Sequence, residues 1–279
     1  MPIILHDQEA FKKMRAAGKL AGEILDFIAP FVKENVTTNE LNNLCHDKII
    51  ENGAIPAPLN YKGFPKSICT SLNHVVCHGI PDDEPLKKGD IMNIDVTVIL
   101  DGYFGDTSRM YYVGEPSPKA KKLCQVTYEA LMLGIEQVKP GVPLFRIGKA
   151  IQDYAEKNGF SVVRDFCGHG IGTIFHTEPN VLHYYDKNNT VIMEEGMFFT
   201  IEPMINEGNY KTKFYQAKPD ALDQKAEKLK ADWVATTTDY ASGKKSLSAQ
   251  FEHTIGVTKD GCEIFTTSSK GLDFPPYKI

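Results

Sequence analysis

The strongest constraint on the fold is a repetition between the two halves of the chain. Residues 36–53 read VTTNELNNLCHDKIIENG and residues 142–159 read VPLFRIGKAIQDYAEKNG, so similar residues recur 106 positions apart. Both segments space their apolar residues as a helix does, and both end in Asn-Gly, which is a helix stop signal. The preceding segments, 11–32 and 117–138, are also helical in pattern at the same offset.

The repetition continues into strand-like segments. VVCHGIPDD at 75–83 is similar to FCGHGIGT at 166–173, and GDIMNIDV at 89–96 is similar to GMFFTIEP at 196–203. Generic helix and strand patterns could produce one such match, but several matches in the same order favour an ancient duplication. We therefore predict two similar α+β halves, each with helices and antiparallel strands, that close on one shared site.

The composition suits such a fold and excludes several other classes. The chain has 279 residues, of which 42% are hydrophobic and 24% charged, so it can bury an ample core. Its six cysteines include no Cys-x-x-Cys pair, which argues against a disulfide framework or a thiolate zinc site. A net charge of −5 argues against a protein that coats nucleic acid, and the N-terminus predicts neither a signal peptide nor a membrane anchor.

One segment breaks the repeat. Residues 207–246 are polar and rich in lysine, with a single helix candidate near 220–231. Because such a segment cannot bury much apolar surface, we predict a surface insertion between two strands, at about 207–232.

The run MNIDVTVILDGYFGDTSRM at 92–110 predicts a β-hairpin, because Val, Ile and Tyr fill it and Asp-Gly at 101–102 is a strong two-residue turn signal. If the turn is correct, Asp106 lies opposite Thr97. Asp95 is two residues from Thr97, so the two acids are diagonal neighbours on one face. Two buried carboxylates this close repel each other unless a cation lies between them.

Three further candidates have similar surroundings. Glu202 in MFFTIEPM and Glu252 in SAQFEHTIGVT are expected to be buried in strands, and His169 lies in the glycine-rich DFCGHGIGTIFHTEP at 165–179. With the two hairpin acids, the four carboxylates carry four negative charges, which two divalent cations would cancel. An oxygen-rich set with one imidazole suits Mn²⁺, Fe²⁺, Co²⁺ or Zn²⁺. Scattered solvated acids are the alternative interpretation.

The glycines of 165–179 could instead cradle a phosphate. A phosphate-binding loop of that kind opens a long helix, but here Phe-His-Thr-Glu-Pro follows and no helix is predicted. We therefore reject the phosphate interpretation and expect the glycines to let the backbone pass close to the metals.

Four motifs closely resemble those of type I methionine aminopeptidases: NIDVTVILDGYFGDTS, CGHGIGTIFHTEP, FTIEPM and SLSAQFEHTIGVT. The resemblance runs from about residue 5 to 267, apart from the insertion. It implies the pita-bread fold, an α+β architecture of two pseudo-symmetric halves with a curved antiparallel sheet and helices on its outer face. We expect one catalytic domain over 1–279, with pseudo-repeats at about 11–113 and 117–267.

The resemblance implies an enzyme that removes the N-terminal methionine when the second residue is small, through a water activated by two divalent ions (Co²⁺, Mn²⁺, Fe²⁺ or Zn²⁺). It implies that Asp95, Asp106 and Glu252 bind one ion. The second ion would be bound by Asp106, His169, Glu202 and Glu252, so that Asp106 and Glu252 bridge the pair. Glu202 would also move a proton.

The same resemblance implies roles at the substrate. His78 would lie near the scissile peptide, and His176 would hydrogen-bond the substrate carbonyl and stabilise the tetrahedral intermediate. The methionine side chain would lie in an apolar pocket lined by Tyr61, Phe64, Cys69, Phe175 and Trp233. The stretch from Glu202 to Glu252 is longer than in typical type I members, and this departure affects the placement of Trp233.

The implied substrates are the N-termini of nascent polypeptides at the ribosome, with no specific nucleic acid and no membrane, and the implied state is a cytoplasmic monomer. One alternative is a proline-specific aminopeptidase or dipeptidase of the same fold, a class that usually carries an extra N-terminal domain. Another is a non-catalytic relative that binds RNA or protein. Such relatives lose metal ligands, whereas all five are present here.

Overall fold

The computed structural model describes residues 2–218, 221, 223–241 and 243–277, in which helices cover antiparallel strands. The α-helices are α1 (Gln8–Ile28), α2 (Thr38–Glu51), α3 (Pro118–Ile135), α4 (Phe145–Lys157) and α5 (Gln224–Trp233), with 3₁₀ turns at Ala29–Phe31 and Tyr61–Gly63. The strands are β1 (Ile55–Pro56), β2 (Cys69–Leu72), β3 (Val75–Cys77), β4 (Ile91–Leu100), β5 (Tyr103–Tyr112), β6 (Ser161–Val162), β7 (Gly168–Gly170), β8 (Thr177–Val181), β9 (Phe198–Ile201), β10 (Met204–Asn206), β11 (Thr212–Phe214), β12 (Ala235–Thr237), β13 (Tyr240–Ala241), β14 (Lys244–Lys245), β15 (Ser248–Gln250), β16 (His253–Val257) and β17 (Cys262–Ile264).

The helices begin and end where local signals place them. The Asp7 side chain accepts a hydrogen bond from the backbone of Ala10 at the start of α1, and Thr37 and Glu40 form a capping box on α2. Helices α2 and α4 end 106 residues apart, and the glycine two residues after each helix adopts a positive φ, 72° at Gly53 and 82° at Gly159. These matching positions support the duplication hypothesis.

The hairpin predicted at 92–110 is confirmed. Strands β4 and β5 pair along their whole length, with Thr97 opposite Asp106 and Asp95 opposite Ser108. The turn residues Asp101 and Gly102 both have positive φ, 48° and 80°, as a two-residue hairpin turn requires. On its other edge β4 pairs with β1 and β2 in turn.

The second half contains a comparable sheet in the order β17-β16-β9-β7-β8. Two of the predicted ligands differ from expectation, since neither lies inside a strand. Glu202 lies just beyond β9, and Glu252 lies just before β16 in an isolated bridge with Ser108 of β5. The breaks occur where the chain passes from one sheet to the next, because β10 and β15 belong to a separate sheet with β6.

The helices cover the sheets and bury two main apolar cores. One core joins α1 and α2 to β4 through Ile24, Leu41 and Ile94, and the other joins α3 and α4 to the second sheet. Within the described residues, no helix is long and apolar enough to cross a membrane.

The insertion is built onto the first half. Strand β12, which follows the insertion, pairs with β3 on one side and with β11 of the insertion on the other. Helix α5 occupies 224–233 rather than the predicted 220–231. Residues 220 and 222 of the predicted helix lie outside the described residues. Lys230 of α5 forms an ion pair with Asp82, at 3.0 Å between Nζ and Oδ2.

Candidate metal centre and substrate cavity

A cavity of about 400 Å³ lies between the two halves and contains every site residue predicted from the sequence. The five predicted metal ligands line it, as do both predicted catalytic histidines and the five predicted pocket residues: Asp95, Asp106, His169, Glu202, Glu252, His78, His176, Tyr61, Phe64, Cys69, Phe175 and Trp233. Residues separated by up to 191 positions in the chain therefore share one space.

The predicted metal ligands converge at one end of this cavity. One ligand atom from each of Asp106, His169 and Glu252 lies within 4.8 Å of the other two. Nε2 of His169 is 3.7 Å from a carboxylate oxygen of Asp106 and 3.7 Å from one of Glu202. Asp95 joins the group as the diagonal neighbour of Asp106 across the β4–β5 ladder.

A bound cation would relieve the repulsion among the clustered carboxylates. Burial raises the pKa of Asp106 to about 7, and burial together with repulsion from Asp106 raises the pKa of Asp95, Glu252 and Glu202 well above the usual range. Among the described residues, no group donates a hydrogen bond to the carboxylate of Asp95 or Glu252. The oxygen-rich donor set therefore fits a divalent ion, which would remove the repulsion.

His169 is prepared to act as a ligand through one nitrogen. Burial lowers the pKa of its imidazole to about 4, so the ring is neutral at pH 7. Its Nδ1 lies 3.1 Å from the carbonyl oxygen of Gly170, so the single ring proton sits on Nδ1 and is donated to that carbonyl. Nε2 then keeps a free lone pair that points toward Asp106 and Glu202.

Comparison with known proteins agrees with this geometry. A family model described as metallopeptidase family M24 matches residues 12–259. The chain belongs to this family. Membership implies a divalent metal in the cluster of carboxylates, and the resemblance inferred from the sequence motifs is confirmed.

Individual relatives and a solved structure support the same family assignment. Methionine aminopeptidase of Rickettsia prowazekii is 63% identical over 277 residues, covering 99% of this chain and all of the relative. The enzyme of that name from Escherichia coli K12 is 50% identical over 95% of this chain and 94% of its own length. The crystal structure of the Rickettsia prowazekii enzyme covers 95% of this chain and all of its own chain at a TM-score of 0.86, which confirms the α+β pita-bread fold expected from the motifs.

A more distant neighbour shares the fold alone. The prolidase of Pyrococcus horikoshii aligns with 95% of this chain and 64% of its own, at a TM-score of 0.70 and 20% identity.

Several supporting residues of this M24 site were missed by the sequence analysis. The Thr97 hydroxyl donates to Oδ1 of Asp106 at 2.7 Å, and the Thr200 hydroxyl donates to Oε1 of Glu202 at 2.8 Å. The backbone N–H of Glu202 donates to Nε2 of buried His183 at 3.0 Å. Thr97 could have been found, because the hairpin register places it opposite Asp106. Thr200 lies two residues before Glu202, a spacing that puts both side chains on one side of an extended chain. No local sequence pattern indicated that His183 belongs to the site.

The glycines at 165–179 permit close approach of neighbouring backbone. A Cβ at Gly168 would lie 2.2 Å from the carbonyl oxygen of Thr200, and one at Gly170 would lie 2.0 Å from that of Glu178. The segment forms strand β7 and no helix, as expected. The close approach seen here is to the backbones of β9 and β8, and the expected approach to the metals stays a prediction.

Aromatic side chains also line the cavity. The rings of Phe64 and Trp233 meet edge to face with centroids 5.2 Å apart, and Trp233 also lies 6.0 Å from the ring of His78. Trp233 is the last residue of α5. Helix α5 therefore contributes to one wall of the cavity, and a role of Trp233 in binding methionine stays a prediction.

Proposed function

We propose that this chain removes the N-terminal methionine from nascent polypeptides whose second residue is small. The observation that carries the proposal is the convergence of Asp106, His169 and Glu252 within 4.8 Å in a cavity that aromatic side chains also line. Two relatives, 63% and 52% identical to this chain, are methionine aminopeptidases.

Two divalent ions would be held by the five ligands. Asp95, Asp106 and Glu252 would hold one, and Asp106, His169, Glu202 and Glu252 the other. The ligand set accepts Co²⁺, Mn²⁺, Fe²⁺ or Zn²⁺. When bound, the ions supply Lewis acidity and lower the pKa of the attacking water.

The protein groups divide the remaining work. Glu202 accepts a proton at its carboxylate and passes it to the departing amine. His176 donates a hydrogen bond to the carbonyl oxygen of the scissile peptide as negative charge develops there. His78 faces the cavity between Phe166 and Trp233, at centroid distances of 5.5 and 6.0 Å, where it would contact the scissile amide.

The methionine side chain would be bound by five lining residues of this cavity: Tyr61, Phe64, Cys69, Phe175 and Trp233. Sulfur-to-ring contacts and burial of the thioether both favour methionine there. Limited space beyond the scissile bond would favour Gly, Ala or Ser as the second residue. We propose that the enzyme acts as a cytoplasmic monomer on nascent chains at the ribosome.

The test uses metal-free protein reloaded with Mn²⁺, Co²⁺, Fe²⁺ or Zn²⁺ under anaerobic conditions, with metal content measured beside the peptide assay. We expect release of methionine from Met-Ala-Ser, little release from a peptide with a bulky second residue, and no cleavage of Ala-Pro peptides. Preference for Ala-Pro would favour the proline-specific alternative, and no cleavage of any peptide by the metal-loaded protein would favour the binding alternative.

Glu252→Gln tests the shared-ligand arrangement. The variant should lose bound metal and activity while its fold stays largely intact, because the amide keeps the shape of the carboxylate but not its charge. Asp101→Asn, in the exposed hairpin turn, is the matched control. Full activity in the Glu252 variant would contradict the arrangement.

A further inference from the structure

Tyr61 makes a specific contact with one of the predicted catalytic histidines. Its hydroxyl oxygen lies 3.1 Å from Nδ1 of His176. The two rings are stacked, with centroids 5.3 Å apart and an interplanar angle of 24°. Among the described residues, Tyr61 is the only hydrogen-bond partner of the His176 ring. A phenol is the better donor and a neutral imidazole nitrogen the better acceptor, so this contact favours the tautomer in which Nδ1 accepts and Nε2 carries the proton.

The backbone around Tyr61 is strained in a way that presents this side chain. Asn60 and Lys62, on either side, have φ of 67° and 47°, in the left-handed region that non-glycine residues seldom adopt. The turn is closed by backbone hydrogen bonds from Asn60 to Phe64 at 2.8 Å and from Phe64 to Tyr61 at 2.9 Å. Strain of this kind concentrates at functional sites, because the surrounding structure must hold it in place.

A neutral imidazole has one N–H, so the two directions of the hydrogen bond have opposite consequences. If the phenol donates to Nδ1, the proton lies on Nε2, which can donate to a substrate oxygen. If Nδ1 donates to the phenol oxygen, Nε2 carries only a lone pair and cannot stabilise negative charge.

We propose that Tyr61 is a positioning residue that holds His176 in the Nε2–H tautomer, so that the ring donates to the carbonyl oxygen of the scissile peptide. This proposal rests on the proposed function, which assigns that hydrogen bond to His176. It gives Tyr61 a role beyond lining the methionine pocket, one that belongs to its hydroxyl and not to its ring.

Tyr61→Phe separates the two roles, since it keeps the ring and removes the hydroxyl. We expect kcat on Met-Ala-Ser to fall about threefold to tenfold with little change in KM, the effect of losing one neutral hydrogen bond that matters only as charge develops. Tyr154→Phe is the matched control, because it removes a hydroxyl that donates to Glu129 on the surface of α3 and α4. A rise in KM with unchanged kcat would assign Tyr61 to the pocket alone and overturn the proposal.

A double-mutant cycle tests whether Tyr61 acts through His176. In a His176→Gln background, Tyr61→Phe should have no further effect on kcat, because the ring that it positions is gone. Equal fold-losses in the two backgrounds would show that Tyr61 acts independently and would refute the positioning role.

A spectroscopic test needs no turnover and so separates this proposal from the proposed function. In zinc-loaded protein with ¹⁵N-labelled histidine, the His176 signals are those absent from the His176→Gln spectrum. We expect long-range ¹H–¹⁵N correlations of the Nε2–H form in the wild type and a mixture of tautomers in Tyr61→Phe. An Nδ1–H pattern in the wild type would overturn the assignment, whether or not the enzyme releases methionine.

Discussion

Asp106→Asn should stabilise the metal-free protein and abolish its stabilisation by metal. The substitution is nearly isosteric, and the amide oxygen can still accept the 2.7 Å hydrogen bond from the Thr97 hydroxyl. What it removes is a negative charge on a side chain that is buried against three other carboxylates, in a residue only 4% exposed. In the absence of metal that charge destabilises the fold, whereas with metal it is a ligand.

The magnitude follows from the pKa of the group. Burial raises the pKa of Asp106 from its usual 3.8 to about 7. At pH 8 the unfolded and folded states both carry the charge, and forcing it onto the folded state costs about 4 kcal/mol for about three pKa units. Well below pH 3.8 the group is protonated in both states and the cost vanishes. The free energy of unfolding of the metal-free wild type therefore falls as the pH rises from about 4 to about 7. The Asn variant does not show this part of the decrease.

The assay is chemical unfolding of chelator-treated and Mn²⁺-loaded protein at pH 5 and pH 8. Without metal, we expect Asp106→Asn to be about 2–4 kcal/mol more stable than the wild type at pH 8, with a smaller difference at pH 5. With Mn²⁺ at about 100 times its Kd, the wild type should gain about 2.7 kcal/mol and the variant almost nothing. Asp101→Asn, the exposed turn acid, should match the wild type throughout. A metal-free Asp106→Asn protein less stable than the wild type at pH 8 would refute the reasoning, because it would mean that the charge is compensated without metal.

Three further predictions test the same architecture. Thr254→Val should lower the free energy of unfolding by about 2 kcal/mol and weaken metal binding. The reason is that the buried Thr254 hydroxyl accepts a hydrogen bond from the N–H of Asp106 and donates one to its carbonyl. The exposed Thr190→Val should change neither quantity in the same denaturation and metal titrations. Gly170→Ala should cost about 3 kcal/mol in denaturation, because its Cβ would lie 2.0 Å from a backbone carbonyl, whereas Gly261→Ala, with no atom within 4 Å, should be nearly neutral. Metal binding at pH 6 should release about one proton or more, seen in calorimetry as a heat that varies with the ionisation enthalpy of the buffer; a heat independent of the buffer would mean that the carboxylates are already ionised.

Local patterns predicted the parts of the fold that depend on local rules. The β4–β5 hairpin follows from a strand period of two and an Asp-Gly turn, so its register could be written down residue by residue and is confirmed. The start of α5 was predicted four residues too early, although a signal was present. Asp223 caps the helix by accepting a hydrogen bond from the backbone of Ala226.

Other features could not be predicted, because they depend on contacts between distant segments. Glu202 and Glu252 sit in runs that look like continuous strands, and the passage of the chain from one sheet to another decides where those strands break. The five predicted metal ligands were recognised through family motifs, since scattered acids by themselves are common. The anchoring of α5 by Tyr215, whose hydroxyl lies 3.0 Å from Glu227, had no pattern at all in the sequence.

The predicted metal ligands and the contact between the halves form one structural feature. Asp95 and Asp106 come from the first half, and the other three predicted ligands come from the second. The two sets meet because β5 hydrogen-bonds across to the start of β16: the N–H of Glu252 donates to the carbonyl of Ser108 at 3.0 Å, and the Thr107 hydroxyl donates to the carbonyl of Glu252 at 2.7 Å. These bonds hold Glu252 beside Asp106 despite the repulsion between their carboxylates. Metal binding removes that repulsion and needs Glu252 and Asp106 side by side. It must therefore also stabilise the association of the two halves. A duplicated fold with acids on both halves can thus use one ion-binding event to complete its site and to strengthen its own assembly.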